Sequence, residues 1–185
     1  MSINHCRDNL CLPVPSGDVW VFGYGSLMWD PGFLYDESQK AIIKDYHRSF
    51  CIWSVHYRGT FENPGLVVGL DTGGECVGRA YRINEEHLYS TLNYLKAREM
   101  DTGVYIPSIR PIWLDTGDCV DCLVFIADHK HDHYAGKLQI EEKVNVIKRA
   151  RGGRGLNTDY VINTYEHLLE NGIDDNYLKS VVEKL

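Results

Sequence analysis

Four apolar residues, Val19-Trp20-Val21-Phe22, run without a polar break into Gly23-Tyr24-Gly25-Ser26-Leu27-Met28. A short continuous apolar run bounded by turn residues predicts a buried strand, here over 19–24. Asp30, Pro31 and Gly32 then mark a loop. Residues 41–55 carry a β-rich segment, Ala41-Ile42-Ile43 followed by Ser49-Phe50-Cys51-Ile52-Trp53-Ser54-Val55. The stretches 65–70 and 76–83 read as two short strands, and Asp71-Thr72-Gly73-Gly74 between them reads as a hairpin turn. Two more strands are expected at 109–114 and 119–127.

The period changes at Asn84, a good helix N-cap with Glu85 and Glu86 favourably placed in the first turn. Leu88, Leu92 and Leu95 follow at i, i+4 and i+7, the spacing of one helix face. Four residues on, the stripe lands on Glu99, so a helix that persists turns this carboxylate inward with the leucines. The last third is helical. Ile140, Val144 and Ile147 form a stripe ending at Gly152-Gly153, the segment 158–170 ends at Gly172, and 174–184 opens at Asp174-Asp175. Residues 1–18, with Pro13, Pro15 and Gly17, read as a polar arm, which leaves 19–185 as a single domain. Strands in the first two thirds and helices at the end favour an α+β fold, a curved or barrel-like sheet with helices around it, over alternating βαβ units.

Composition narrows the function classes. The chain has 185 residues, enough for a sizeable core without covalent staples. Cys6, Cys11, Cys51, Cys76, Cys119 and Cys122 are too few and too scattered for a disulfide scaffold and read as thiols of a reducing compartment. No basic flank leads into a long apolar run at the N-terminus, and no segment approaches the roughly 18 apolar residues of a membrane span. The expectation is a soluble cytoplasmic protein. A net charge of −7 argues against a nucleic-acid surface, which needs clustered Lys and Arg.

Glycines on both sides of Tyr24 let the backbone turn, with φ > 0 expected there, and approach a bound group closely. Amides arranged in such a turn suit a carboxylate or a developing oxyanion. A dinucleotide fingerprint would need a third glycine where Met28 stands, so that reading fails. Taken alone, Glu99 beside Arg98 near a helix end is ordinarily a solvated or ion-paired residue, and Ser26 is equally well a turn cap. His129, His131 and His133 alternate as metal ligands on a strand can, yet Lys130, Asp132 and Tyr134-Ala135-Gly136 fit a polar loop better. Cys119 and Cys122 have CxxC spacing but no second ligand pair, and on a strand they face opposite sides. Arg149, Arg151 and Arg154 around Gly152-Gly153 read as helix-end cations at a connector.

Several motifs in order carry a resemblance: Phe22-Gly23-Tyr24-Gly25-Ser26-Leu27, Tyr46-His47-Arg48-Ser49-Phe50, Trp53-Ser54-Val55-His56-Tyr57-Arg58-Gly59-Thr60, Pro64-Gly65-Leu66-Val67, and Arg98-Glu99 with Gly103 and Tyr105 behind it. Together they resemble the ChaC-type γ-glutamylcyclotransferases over roughly residues 19–170. A weaker echo follows in Arg149-Ala150-Arg151-Gly152 and Asn157-x-Asp159-Tyr160.

The resemblance implies a γ-glutamylcyclotransferase-like fold, a six-stranded, partly closed mixed β-barrel with flanking helices. It implies an enzyme that cleaves γ-glutamyl compounds, chiefly glutathione, to 5-oxoproline and the remaining amine, without metal or organic cofactor. It places the substrate-binding turn on Gly23, Tyr24, Gly25, Ser26, Leu27 and Met28 and the general acid/base on Glu99, with Arg58 and Tyr105 as pocket residues. In such a substrate the α-amine attacks its own γ-carbonyl, so the protein has to position the chain and move protons. The rival readings are a cyclotransferase for other γ-glutamyl amines or amino acids, and a non-catalytic binding protein such as a cation-transport regulator. The expected partner is a small molecule, with no nucleic acid and no membrane, and the expected state is a monomer.

Overall fold

The computed structural model describes residues 12–15 and 17–185. Residues 1–11 and Ser16, and with them the expectations for Cys6 and Cys11, lie outside the described residues. In chain order the elements are β1 (Val19–Gly23), a 3₁₀ turn (Ser26–Met28), β2 (Glu37–Ser54), β3 (Gly65–Ile83), α1 (Glu85–Glu99), β4 (Tyr105–Leu114) and β5 (Cys119–Ala127). Then come α2 (Ile140–Arg149), the short pair β6 (Arg151–Gly152) and β7 (Gly155–Leu156), α3 (Asn157–Glu170) and α4 (Asn176–Val182).

The strands β1-β3-β2-β4-β5 form a closed barrel. β1 runs antiparallel to β3, with Val19 opposite Ile83 and Gly23 opposite Arg79, and parallel to β5, with Trp20 opposite Cys122 and Val21 opposite Leu123. β1 is buried at every position, so both of its faces are covered, which is why 19–23 is apolar throughout rather than alternating. The mixed barrel with flanking helices is therefore present, with a closed ring of five strands where the resemblance implied six and partial closure.

Two expectations change. The segments 65–70 and 76–83 are one strand, and 71–74 is no hairpin. Gly73 and Gly74 take φ of 97° and 71°, but His47 Nδ1 on β2 lies 2.9 Å from Gly73 O, so the chain bends and stays alongside its neighbour. Gly152-Gly153 is likewise more than a connector between helices: Arg151 pairs with Leu156 and Gly152 with Gly155 in a small antiparallel hairpin.

The described chain forms two compact units. The first comprises residues up to His47 and Thr72–Ile126. Its core gathers Val19 and Val21 of β1, Leu27, Tyr81 and Ile83 of β3, Leu92 and Leu95 of α1, and Leu123 and Phe125 of β5. Leu12 and Val14 pack against this cluster. Helix α1 begins as its sequence dictates, with the Asn84 side chain accepting from Glu86 N at 2.9 Å. Leu95 is fully buried and Leu92 nearly so.

The second unit comprises Arg48–Asp71 and Ala127–Leu185. Here side chains from the helices complete the main-chain bonding of the strands. The Asn157 amide, with no exposed surface, accepts from Leu66 N at 2.7 Å and donates to Leu66 O at 2.8 Å. Tyr160 OH accepts from Val68 N, and Tyr177 OH from Phe50 N. Buried Arg48 is ion-paired with Asp175, and Lys143 Nζ donates to Ser49 Oγ at 3.0 Å. Among the described residues, no helix is long and apolar enough to cross a membrane.

Candidate active site

The turn after β1 divides its residues between structure and surface. Tyr24, Leu27 and Met28 are buried, whereas Gly25 and Ser26 are half-exposed. The Tyr24 hydroxyl donates to Phe125 O at 2.8 Å, so this ring anchors the turn to β5. Neither glycine has a positive φ, contrary to expectation: Gly25 sits at φ −135°, ψ −132°, and Gly23 is absent from the left-handed region as well. Gly23 is required by proximity instead. A Cβ there would meet Leu27 Cβ at 3.1 Å and Leu27 C at 3.2 Å, because the chain folds back directly over the end of the strand.

Met28 N donates to Gly25 O at 2.9 Å, the first hydrogen bond of the 3₁₀ turn. The amides of Ser26 and Leu27 precede that donor and have no partner within the turn, as at the start of any helix. The carbonyls of the turn are held by Tyr81, whose hydroxyl donates to Leu27 O at 2.8 Å and Met28 O at 2.9 Å. Burial pushes the Tyr81 phenol up to about 12, so it remains a donor.

Glu99 closes the apolar stripe of α1, as its spacing requires, and its side chain is 16% exposed. Burial raises its carboxyl above the usual carboxylate range, and the Arg98 guanidinium pulls it partly back. Arg98 Nε lies 3.3 Å from Glu99 Oε1. The same guanidinium donates through Nη2 to Ser26 Oγ at 2.7 Å, and through Nη1 to Asp30 O and Tyr94 OH, each at 2.7 Å. One side chain thus touches both the serine of the turn and the carboxylate of the helix. All of these groups belong to the first unit.

A family model described as ChaC-like protein matches residues 19–185. The chain belongs to the ChaC-like family. This ChaC-like chain is 37% identical over 172 residues to the glutathione-specific gamma-glutamylcyclotransferase of Escherichia coli (strain K12), covering 93% of this chain and 74% of that one. It is 33% identical over 168 residues to the protein of the same name in Schizosaccharomyces pombe, covering 80% of this chain and 81% of that one. Against gamma-glutamylcyclotransferase 2-3 of Arabidopsis thaliana it is 35% identical over 175 residues, with 90% and 88% covered. In shape it is similar to the crystal structure of a yeast gamma-glutamyl cyclotransferase specific to glutathione, with a TM-score of 0.81 over 91% of this chain and 96% of that one; at 23% identity this likeness speaks for the fold.

The remaining residues singled out in the ChaC-like sequence fall as follows. Tyr105 opens β4, half-buried against the core that receives Leu92 and Leu95. Arg58 belongs to the second unit, where its Nη1 donates to Arg154 O at 2.7 Å and Leu156 O at 3.2 Å and its guanidinium lies over the Tyr160 ring. His129, His131 and His133 stand in a loop of turns. His129 Nε2 meets Asp71 Oδ1 at 2.6 Å, and His131 Nδ1 accepts from His133 N. Among the described residues, no group of three or more His, Cys, Asp or Glu is placed to hold a metal ion. Cys119 is exposed and Cys122 buried, on opposite sides of β5. Sequence reasoning missed Tyr81, which was one more apolar position of a strand, and named Arg98 only as the companion of Glu99.

Proposed function

We propose that this chain is a γ-glutamylcyclotransferase that cleaves glutathione to 5-oxoproline and cysteinylglycine, with Glu99 as general acid/base. The observation that carries this reading is the placement of a largely buried carboxyl against the same guanidinium that holds the Gly-x-Gly-Ser turn. The likeness in sequence to glutathione-specific enzymes of two organisms supports the choice of substrate.

The substrate's α-amine is mostly protonated at neutral pH. Once the ammonium has given one proton to solvent, the neutral amine closes on the γ-carbonyl carbon while Glu99 takes a second proton from that nitrogen, and a five-membered ring forms with a negative charge on the former carbonyl oxygen. Collapse of this intermediate breaks the bond to the cysteine nitrogen, which takes the proton back from Glu99. The raised pKa suits both roles, since a carboxyl nearer neutrality is a better base and can still return the proton. The turn supplies donors, Ser26 N–H, Leu27 N–H and the Ser26 hydroxyl, for a negatively charged oxygen of the substrate; one such donor is typically worth about 10²–10³ in rate. Holding amine and carbonyl in near-attack geometry lowers the barrier further.

We assign the activity to the cytoplasm, in keeping with the free thiols of Cys51, Cys76, Cys119 and Cys122, and to a single chain, because the assigned groups all lie in one unit. The test is a substrate panel. Purified protein is given glutathione, γ-glutamyl-alanine or a γ-glutamyl amine, and 5-oxoproline and the released amine are followed by mass spectrometry. Equimolar 5-oxoproline and cysteinylglycine, formed faster than product from the other two substrates, is the expected result. Faster turnover of another γ-glutamyl compound would reassign the substrate, and ligand binding without product would reassign the protein to a binding role.

A further inference from the structure

Arg98 lies in the last turn of α1, where a cation ordinarily earns its place beside the free carbonyls of its own helix. Its guanidinium is directed elsewhere. Its hydrogen-bond acceptors include Ser26 Oγ, Asp30 O and Pro31 O, which lie 67 to 72 residues earlier in the chain, together with Tyr94 OH one turn back. The side chain is only 20% exposed, and the planar fork is used on both edges. A lysine, with one nitrogen, cannot reproduce this set of partners.

We propose that Arg98 is a positioning residue of the cyclotransferase site: it clamps the 26–31 segment to the end of α1, and so presents the Ser26 hydroxyl and the Glu99 carboxyl to one substrate. The inference rests on the cyclotransferase reading above and adds to it the group that aligns its two halves.

The chemistry of the Ser26 contact gives the clamp a direction. A serine hydroxyl has one proton and two lone pairs, and a guanidinium has donors only. With Arg98 Nη2 occupying one lone pair, the Ser26 proton cannot point toward the arginine and is turned outward as a donor. A substrate carboxylate or oxyanion needs a donor there. At Glu99 the contact acts through charge, since the guanidinium 3.3 Å away favours the ionised carboxylate and offsets part of the effect of burial. Arg98 therefore sets the hydrogen-bonding sense of one group and the ionisation of the other.

Three variants separate these effects: Arg98→Met, Arg98→Lys and Ser26→Ala, each checked by circular dichroism and urea denaturation and assayed for 5-oxoproline from glutathione across pH. In Arg98→Met, kcat per folded molecule falls on the order of 10²-fold, more than KM rises, and the acidic limb of the pH profile of kcat/KM moves to higher pH. In Arg98→Lys the limb stays where it is in the wild type, because the charge is kept, while kcat still falls because the fork is lost. Ser26→Ala costs much less in the Arg98→Met background than in the wild type.

An Arg98→Met protein that is folded and turns over within threefold of wild type would overturn the proposal. So would a loss that follows the folded fraction alone with an unmoved pH limb, or Ser26→Ala and Arg98→Met effects that simply multiply. Wild-type protein that forms no 5-oxoproline from any γ-glutamyl substrate marks the separate failure of the cyclotransferase reading, and the positioning role then falls with it.

Discussion

The hydroxyl of Tyr81, a residue 1% exposed in β3, donates to the main-chain carbonyls of both Leu27 and Met28. A single phenol thus fixes the carbonyls of the turn, whose amides at Ser26 and Leu27 have no partner within it. Tyr81→Phe keeps the ring and removes that anchor. Losing this buried donor costs roughly 1–3 kcal/mol of stability, so the urea midpoint falls by that amount divided by the m-value, and kcat/KM for glutathione falls with it as the turn loosens. Because burial holds the phenol up to about 12, the difference between the two proteins stays constant from neutral to mildly alkaline pH.

Two glycines near the turn differ in what a methyl group would meet. At Gly78 an added Cβ lies 2.4 Å from Gly23 O and 2.6 Å from Phe22 Cζ, a collision with backbone that nothing flexible relieves. Gly78→Ala therefore destabilises by about 1–3 kcal/mol or more. At Gly23 the nearest atoms, at 3.1 to 3.3 Å, all belong to Leu27 and Met28, so the turn itself gives way. Gly23→Ala keeps most of its stability and loses turnover on the order of 10²-fold through displaced donors. Denaturation and turnover measured side by side on both variants check the contrast.

How much of this was legible in the sequence depends on how local the deciding interaction is. Helix α1 was readable to its end, cap and stripe included, because capping and periodicity are short-range, and the inward placement of Glu99 followed from the same count. The hairpin expected at 71–74 failed for the opposite reason. Two adjacent glycines signal a reversal, but whether the chain reverses or bends is settled by partners such as His47 on β2, and no local pattern reveals them. The turn after β1 was located correctly and explained wrongly, since Gly23 answers to the chain folding over it and not to a positive φ. Tyr81 and Arg98 act on groups between 53 and 72 residues away. A single sequence carries no signal of that pairing, and only the Arg98-Glu99 motif hinted at one of them.

The raised pKa of Glu99 makes a statement about stability. Its carboxyl holds its proton to higher pH in the folded protein than in the unfolded chain. The stabilisation this represents is fully present below the unfolded value of about 4.3, and it is lost as pH rises through the folded pKa. Glutamine undergoes no such change. Relative to wild type, Glu99→Gln therefore gains stability as pH rises from the acidic range to neutrality. Urea denaturation of both proteins at a series of pH values measures the difference; a wild type that gains on the variant with rising pH contradicts the assignment.

In the second unit, Asn157 stands in for a strand partner by bonding both the N–H and the C=O of Leu66. Asn157→Ala leaves two buried main-chain groups unsatisfied, each costing roughly 1–3 kcal/mol. The expected outcome is a large fall in thermal and urea stability. Asn157→Asp keeps the acceptor but turns a carboxylate oxygen on Leu66 O, and it is expected to be similarly unstable at neutral pH.

The proton-transfer role of Glu99 is tested most directly by turnover of glutathione in the Glu99→Gln protein, with folding verified on the same sample. The wild type should yield 5-oxoproline and cysteinylglycine in equal amounts. The variant, folded and at least as stable at neutral pH, should yield almost none. A folded Glu99→Gln protein that retains substantial formation of both products would contradict the account and move the acid/base to another group.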